Sequence, residues 1–234
     1  MNPDRLPKPA AAVILLRDAE PRGIEVFLCR GPRTLPHAGG SYGFPGGEVQ
    51  MKDCAESLAR RCRGLSAEGA RAIIGAHFSP RDALGFWIAA LRELYAATGI
   101  LLAVTEDGAA APMGGRFNER ASAQSLDFYA LLERENLYCD ASRLAYFSHW
   151  QTPPQFSPCC DARFFVAPLP EGHAPVVMPL EVGHSLWCAP DRALTLFARG
   201  ELPMLFPTFA SLRTLADFDD LRSVLKEYQS RQLK

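Results

Sequence analysis

Residues 91–100, Leu-Arg-Glu-Leu-Tyr-Ala-Ala-Thr-Gly-Ile, constrain this chain more than any other stretch. They read as the last turns of a helix. Gly99 stands where a chain leaves a helix through a left-handed residue, and the apolar run Ile100-Leu101-Leu102 follows it. A second short piece, Gly43-Phe44-Pro45-Gly46-Gly47, puts three glycines and a proline into five residues at the end of a strand-like run. That composition makes a tight loop whose backbone can approach another group closely.

The two pieces together resemble the signature of the Nudix hydrolases. That pattern is a glycine, five residues, a glutamate, seven residues, then Arg-Glu-apolar-x-Glu-Glu-x-Gly-apolar. Phe44-Pro45-Gly46-Gly47 is similar to its loop, and Arg92-Glu93-Leu94 with Gly99-Ile100 is similar to its helix. Two departures stand out. Gly47 and Arg92 are 45 positions apart (92 − 47), far more than in the family pattern, so a segment from Glu48 to about Pro80 is inserted. Ala96 and Ala97 also occupy the places of the Glu-Glu pair.

Further downstream, Trp150-Gln151-Thr152-Pro153-Pro154, residues 161–165, Glu181, Trp187-Cys188-Ala189-Pro190 and Pro207-Thr208 resemble a branch of that family with an insertion inside the signature. That branch includes a peroxisomal coenzyme A diphosphatase. The resemblance spans roughly residues 10–216 and implies an α/β fold. Its form would be an α/β/α sandwich with a mixed sheet, joined by extra helices from the insertion and the C-terminus.

Composition sets outer bounds. A chain of 234 residues, 48% hydrophobic, is expected to bury a full core as one domain. Within it, 48–80 form a helical insertion, 105–143 a second elaboration, and 190–234 closing helices. The formal net charge of −1 gives no general attraction to nucleic acid or to an anionic membrane. The longest apolar runs are far too short to span a bilayer, and the first residues carry no apolar signal core. The last three residues match no peroxisomal tripeptide. Seven cysteines without a CxxC pair read as reduced thiols of a cytoplasmic protein rather than as a disulfide framework.

Local patterning supplies the elements. Residues 10–16 and 24–30 read as a hairpin around the turn at 18–23, and 31–40 as a long loop. Residues 55–61 and 67–74 read as short helices, the second capped by Ser66. Asp82 is the expected N-cap of the apolar helix that carries Arg92 and Glu93. Residues 117–136 have helical periodicity, 144–150 and 161–167 read as strands, and 191–198, 208–216 and 218–229 as closing helices.

The resemblance implies hydrolysis of a diphosphate linked to another moiety, assisted by Mg²⁺ or Mn²⁺. Magnesium takes carboxylate, phosphate and water oxygens. Three glutamates at i, i+3 and i+4 would share one helix face. Here that face presents Glu93, Ala96 and Ala97, one ligand of three. Alanine favours the helix while removing the metal ligands.

By the same resemblance, Glu93 would hold metal and act in catalysis, and Arg92 would orient a glutamate. Glu181 would be a base or second metal ligand. Gly46 and Gly47 would approach phosphate, and Arg30 and Arg33 would lie near the substrate phosphates. Glu48 and Asp53 are the replacement carboxylates closest to the loop, with Asp53 six positions after Gly47 where the pattern places its first glutamate. Asp82 is a third candidate. Each also has a plain reading as a solvated, capping or internal group.

Other constellations carry less. His149 and His184 are isolated, Cys159-Cys160 is not a metal spacing, and Ser41 and Ser185 lack a nucleophile-elbow context. Trp150, Phe164, Phe165 and Trp187 read as core or pocket wall, because no basic stripe accompanies them. Two functions therefore stand side by side. One is a metal-dependent diphosphatase acting on a nucleotide-linked or coenzyme A-like small molecule. The other is an inactive domain that binds such a molecule as sensor or scaffold. The family resemblance also allows a homodimer.

Overall fold

The computed structural model describes residues 7–31, 39–111, 128–153, 159–176 and 184–232. The fold is organised by one long strand, β1 (Lys8–Asp18), whose central residues Val13, Ile14, Leu15 and Leu16 are fully buried. A strand buried on both faces must be apolar at every position, which is why this stretch reads as a continuous run and not as an alternation. The expected hairpin forms, with β2 (Ile24–Arg30) antiparallel to β1 through Leu16↔Val26, Arg17↔Glu25 and Asp18↔Ile24.

The edge of β1 that bears β2 also holds the signature loop. Short strands β3 (Tyr42–Gly43) and β4 (Gly46–Glu48) flank it. Of these, β3 pairs with β2, and β4 pairs with β1 through Ala10↔Glu48, Ala11↔Gly47 and Ala12↔Gly46. Between them the Pro45 carbonyl accepts from the Val13 amide at 2.8 Å. The loop is thus sewn to the middle of the sheet at both ends.

Three more strands complete that sheet: β8 (Ala145–Gln151), β9 (Cys160–Pro168) and β10 (His184–Cys188). Its order is β10-β2-β1-β9-β8, with β9 parallel to β1 and the remaining pairs antiparallel, so the sheet is mixed.

Alternation along the strands divides the interior in two. On one face Val13, Leu15, Phe27 and Phe165 pack under α3 (Pro80–Thr98), with α1 (Glu56–Arg60), α2 (Ala67–Ile74) and α4 (Phe128–Arg134) around it. On the other, Ile14, Leu16, Val26, Leu28 and Val166 pack under α5 (Pro190–Ala198), α6 (Phe206–Leu215) and α7 (Leu221–Gln232). The result is the expected α/β/α sandwich with a mixed sheet and added helices.

Several local expectations change. Ser79, not Asp82, caps α3, because Pro80 already supplies a first helical residue with no amide to satisfy. Asp82 takes the third helical position, where its amide donates to Ser79 Oγ at 3.2 Å and its carboxylate accepts from that hydroxyl at 2.7 Å. Pro190 and Pro207 likewise fall inside the first turns of α5 and α6 rather than before them. The capping role of Ser66 holds, with its hydroxyl accepting from Gly69 N at 2.9 Å.

The helix read over 117–136 is present where described, as α4. Residues 112–127 lie outside the described residues. A small second sheet, β5 (Cys62–Arg63), β7 (Tyr138–Asp140) and β6 (Ala103–Val104), ties the insertion to the second elaboration. Strands of two or three residues are too short to announce themselves by periodicity.

Candidate functional site

The helix α3 reaches the signature loop with its last two turns, and Arg92 makes the contact. Burial would lower the affinity of this guanidinium for its proton, but hydrogen bonding and charge from Asp53, then from Glu93, outweigh it and raise its pKa. Nε donates to Asp53 Oδ1 at 3.0 Å and Nη2 to Asp53 Oδ2 at 2.9 Å, a two-point ion pair. Nη2 also donates to the Glu48 carbonyl at 2.9 Å, and Nη1 to Glu93 Oε1 at 2.5 Å. The Arg92 and Asp53 side chains retain 10% and 0% of their exposure, and Glu93 retains 16%.

Asp53 is saturated. Its Oδ1 accepts from Arg92 and from the Tyr129 hydroxyl at 2.8 Å, and its Oδ2 from Arg92 and from the Gln50 amide at 2.7 Å. A carboxylate has about four lone-pair directions, and all of them are used here. Asp53 therefore sits at the place where the family pattern has its first acidic residue, as the internal partner of Arg92. Tyr129 of α4 is a member that sequence reasoning missed. It lies 76 positions from Asp53, and the only sign of it was helical spacing.

Glu93 meets the loop directly. A β-carbon built on Gly47 would lie 2.5 Å from its Oε1 and 2.7 Å from its Oε2, so the carboxylate occupies the space that any larger residue would fill. Gly46 is required for a different reason. A β-carbon there would lie 2.6 Å from the Ala11 carbonyl oxygen and from Ala12 Cβ, which are fixed by the sheet. The two glycines expected to approach phosphate are thus demanded by the packing of Glu93 and of β1.

The remaining sequence candidates separate. The Glu48 carboxylate turns outward to Lys8 Nζ at 2.8 Å, with both side chains 60% exposed. Asp82 is committed to Ser79. Arg30 lies at the other end of the loop, where its Nε donates to the Gly40 carbonyl at 2.8 Å and its guanidinium stands 5.6 Å from the Tyr42 ring. Glu181 and Arg33 lie outside the described residues. His149 is bonded through Nε2 to Asp161 at 2.5 Å.

Do the residues on this face suit a divalent cation? Of the three positions on α3, Glu93 offers oxygen and is bonded to Arg92, while Ala96 and Ala97 offer none. Among the described residues no group of three His, Cys, Asp or Glu side chains is arranged to hold a metal ion. The described residues do not by themselves make up a magnesium or manganese site. All seven cysteines are free, and those at 29, 62, 139, 159 and 188 are buried. No described helix is long and apolar enough to cross a membrane.

Comparison with solved structures places this geometry. The chain superposes on a Nudix hydrolase from Alicyclobacillus acidocaldarius with a TM-score of 0.78 at 25% identity, covering 94% of this chain and 96% of that one. The fold is that of the Nudix hydrolases. Weaker overlap occurs with an Ap4A hydrolase of C. elegans in a binary complex, at TM-score 0.46 and 12% identity over 94% and 99% of the two chains. The Nudix domain of Shewanella oneidensis NrtR complexed with ADP ribose gives 0.45 and 12% over 92% of each. No protein-family model and no curated protein sequence matches the chain. Such a fold supports cleavage of a diphosphate linkage as the class of chemistry.

Proposed function

We propose that this chain binds a nucleotide-linked or coenzyme A-like diphosphate at the loop of residues 43–47, and that its hydrolytic centre is reduced to a vestige. One observation carries the reading. The α3 face that would share metal holds Glu93 alone, and each described carboxylate near it has another assignment. Asp53 belongs to Arg92, Glu48 to Lys8, and Asp82 to the helix cap. The preserved clamp of Arg92 on Glu93, seated on Gly47, supports retention of a ligand-shaped loop.

A second reading, a working Mg²⁺- or Mn²⁺-dependent diphosphatase, is favoured by that same clamp, because Glu93 is held at the loop rather than released to solvent. It requires Glu181 or the ligand to supply the missing metal ligands. The free, largely buried thiols fit a reducing compartment such as the cytoplasm under either reading.

The test pairs calorimetric binding with product release on coenzyme A, acyl-coenzyme A, ADP-ribose and dinucleotides, in Mg²⁺ and in Mn²⁺. The binding reading expects a saturable ligand with little turnover, and turnover that rises by at least about 100-fold in Ala96→Glu/Ala97→Glu, since even indirect ligand support is worth 10- to 100-fold in metal affinity. Brisk turnover by the wild type that Glu93→Gln abolishes would establish the diphosphatase instead. Failure to bind any of the panel would reject both.

A further inference from the structure

The loop has a second end, and three side chains meet there that the reduced metal face does not involve. Strands β10 and β2 place His184 directly opposite Arg30, and β2 pairs Arg30 with Tyr42. Residues opposite one another on an antiparallel pair have β-carbons about 5 Å apart and project to the same face. The three side chains are therefore brought together by register alone. The Tyr42 ring is buried and stands edge-on to the His184 ring at 5.9 Å and 89°. Its hydroxyl lies 3.0 Å from His184 Nδ1.

We propose that Arg30, His184 and Tyr42 form a phosphate subsite, in which His184 and Arg30 donate to one phosphoryl group and Tyr42 orients the imidazole. The inference rests on the diphosphate-binding reading for its biological ligand. Arg30 commits only Nε to the protein, by its bond to the Gly40 carbonyl. That bond aims the guanidinium and leaves its Nη groups with no acidic partner among the described residues.

Where Tyr42 donates to Nδ1, the neutral imidazole carries its proton on Nε2, as a donor facing outward. Where the ring is protonated, Nδ1–H donates to the tyrosine oxygen and Nε2–H again faces outward. A planar fork plus a third fixed donor suits a tetrahedral phosphoryl group. The location is consistent with this role. Tyr42 begins the loop whose far end, Gly47, carries Glu93, so one bound diphosphate would be gripped at the side opposite the acidic residues. His184 is exposed and Arg30 half-buried, which leaves both reachable from solvent.

The experiment uses the full chain and inorganic pyrophosphate, read by nitrogen-15 imidazole spectra and by calorimetry. The expected result is an Nε2–H tautomer for His184 that moves on pyrophosphate addition and becomes mixed in Tyr42→Phe. Affinity should fall about tenfold in Arg30→Gln and in His184→Ala, and about threefold in Tyr42→Phe, as expected for losing charged and neutral hydrogen bonds respectively. His184 is exposed and Tyr42→Phe is isosteric, so both variants should fold.

The proposal is overturned if pyrophosphate fails to bind or leaves His184 unmoved. It is also overturned if all three variants bind within about twofold of the wild type. The broader reading fails separately. A chain that binds pyrophosphate here but none of the organic diphosphates keeps the subsite and loses the proposed function. A chain that binds the organic panel equally well in all three variants does the reverse.

Discussion

At the Gly47 end of the signature loop every charge is answered from within the chain. Arg92 spends its donors on Asp53, Glu93 and the Glu48 carbonyl, and Asp53 accepts from two further groups. At the Tyr42 end the pattern is reversed: Arg30 has one backbone bond, and His184 has one tyrosine. The first end is closed and dry, and the second is open. Buried charges that satisfy each other hold a structure in place, whereas unanswered donors at a surface have capacity left for a ligand. The difference teaches where in this loop to look for folding energy and where to look for binding.

Removing one partner at the closed end should have the largest effect. Asp53→Ala would leave the Arg92 guanidinium buried and unanswered, at a cost of about 3–5 kcal/mol measured by chemical denaturation. The double change Asp53→Leu/Arg92→Met should cost far less than the sum of its parts. If Asp53→Ala cost no more than a surface substitution, the contrast between the two ends would be broken.

Gly47→Ala comes next. Its methyl group would displace a carboxylate that Arg92 holds in place, at about 1–3 kcal/mol. The same substitution in a Glu93→Ala background should be nearly neutral, because the displaced group is then gone. A double-mutant cycle with no coupling would show that Glu93 does not rest on the loop.

Tyr129→Phe is expected to cost about 1 kcal/mol, the usual net worth of one hydrogen bond, since Asp53 keeps its other three. At the open end, Tyr42→Phe should change stability by less than about 0.5 kcal/mol, as for a substitution that leaves no buried group unanswered. Matched thermal melts of these two isosteric variants sharpen the comparison, because the same atom is deleted in each case.

Much of this was legible beforehand. The hairpin, α3 with its Gly99 terminus, the mixed sheet and the pairing of loop with helix all follow from patterns carried by neighbouring residues. Gly99 does adopt a left-handed conformation at φ 69°. The role of Asp53 was not legible. Six positions after Gly47 it reads equally as a metal ligand or an internal partner, and only its burial under Arg92, Tyr129 and the Gln50 amide distinguishes the two. Tyr129 and Tyr42 were invisible as site residues, because nothing local marks a tyrosine whose hydroxyl meets a group 76 or 142 positions away.

By itself, then, the sequence determined the fold class, the place of the signature loop and the poverty of the metal face. Apolar periodicity, glycine in positions that demand it, and alanine at Ala96 and Ala97 are properties of single residues and their neighbours. What only the tertiary structure decided is the assignment of charges. Whether Glu48, Asp53 and Asp82 face Glu93 or something else depends on how strands and helices distant in the chain are brought into register. An ionisable group under a fold goes to whichever partner best offsets its loss of water, and that partner is set by three-dimensional packing rather than by spacing.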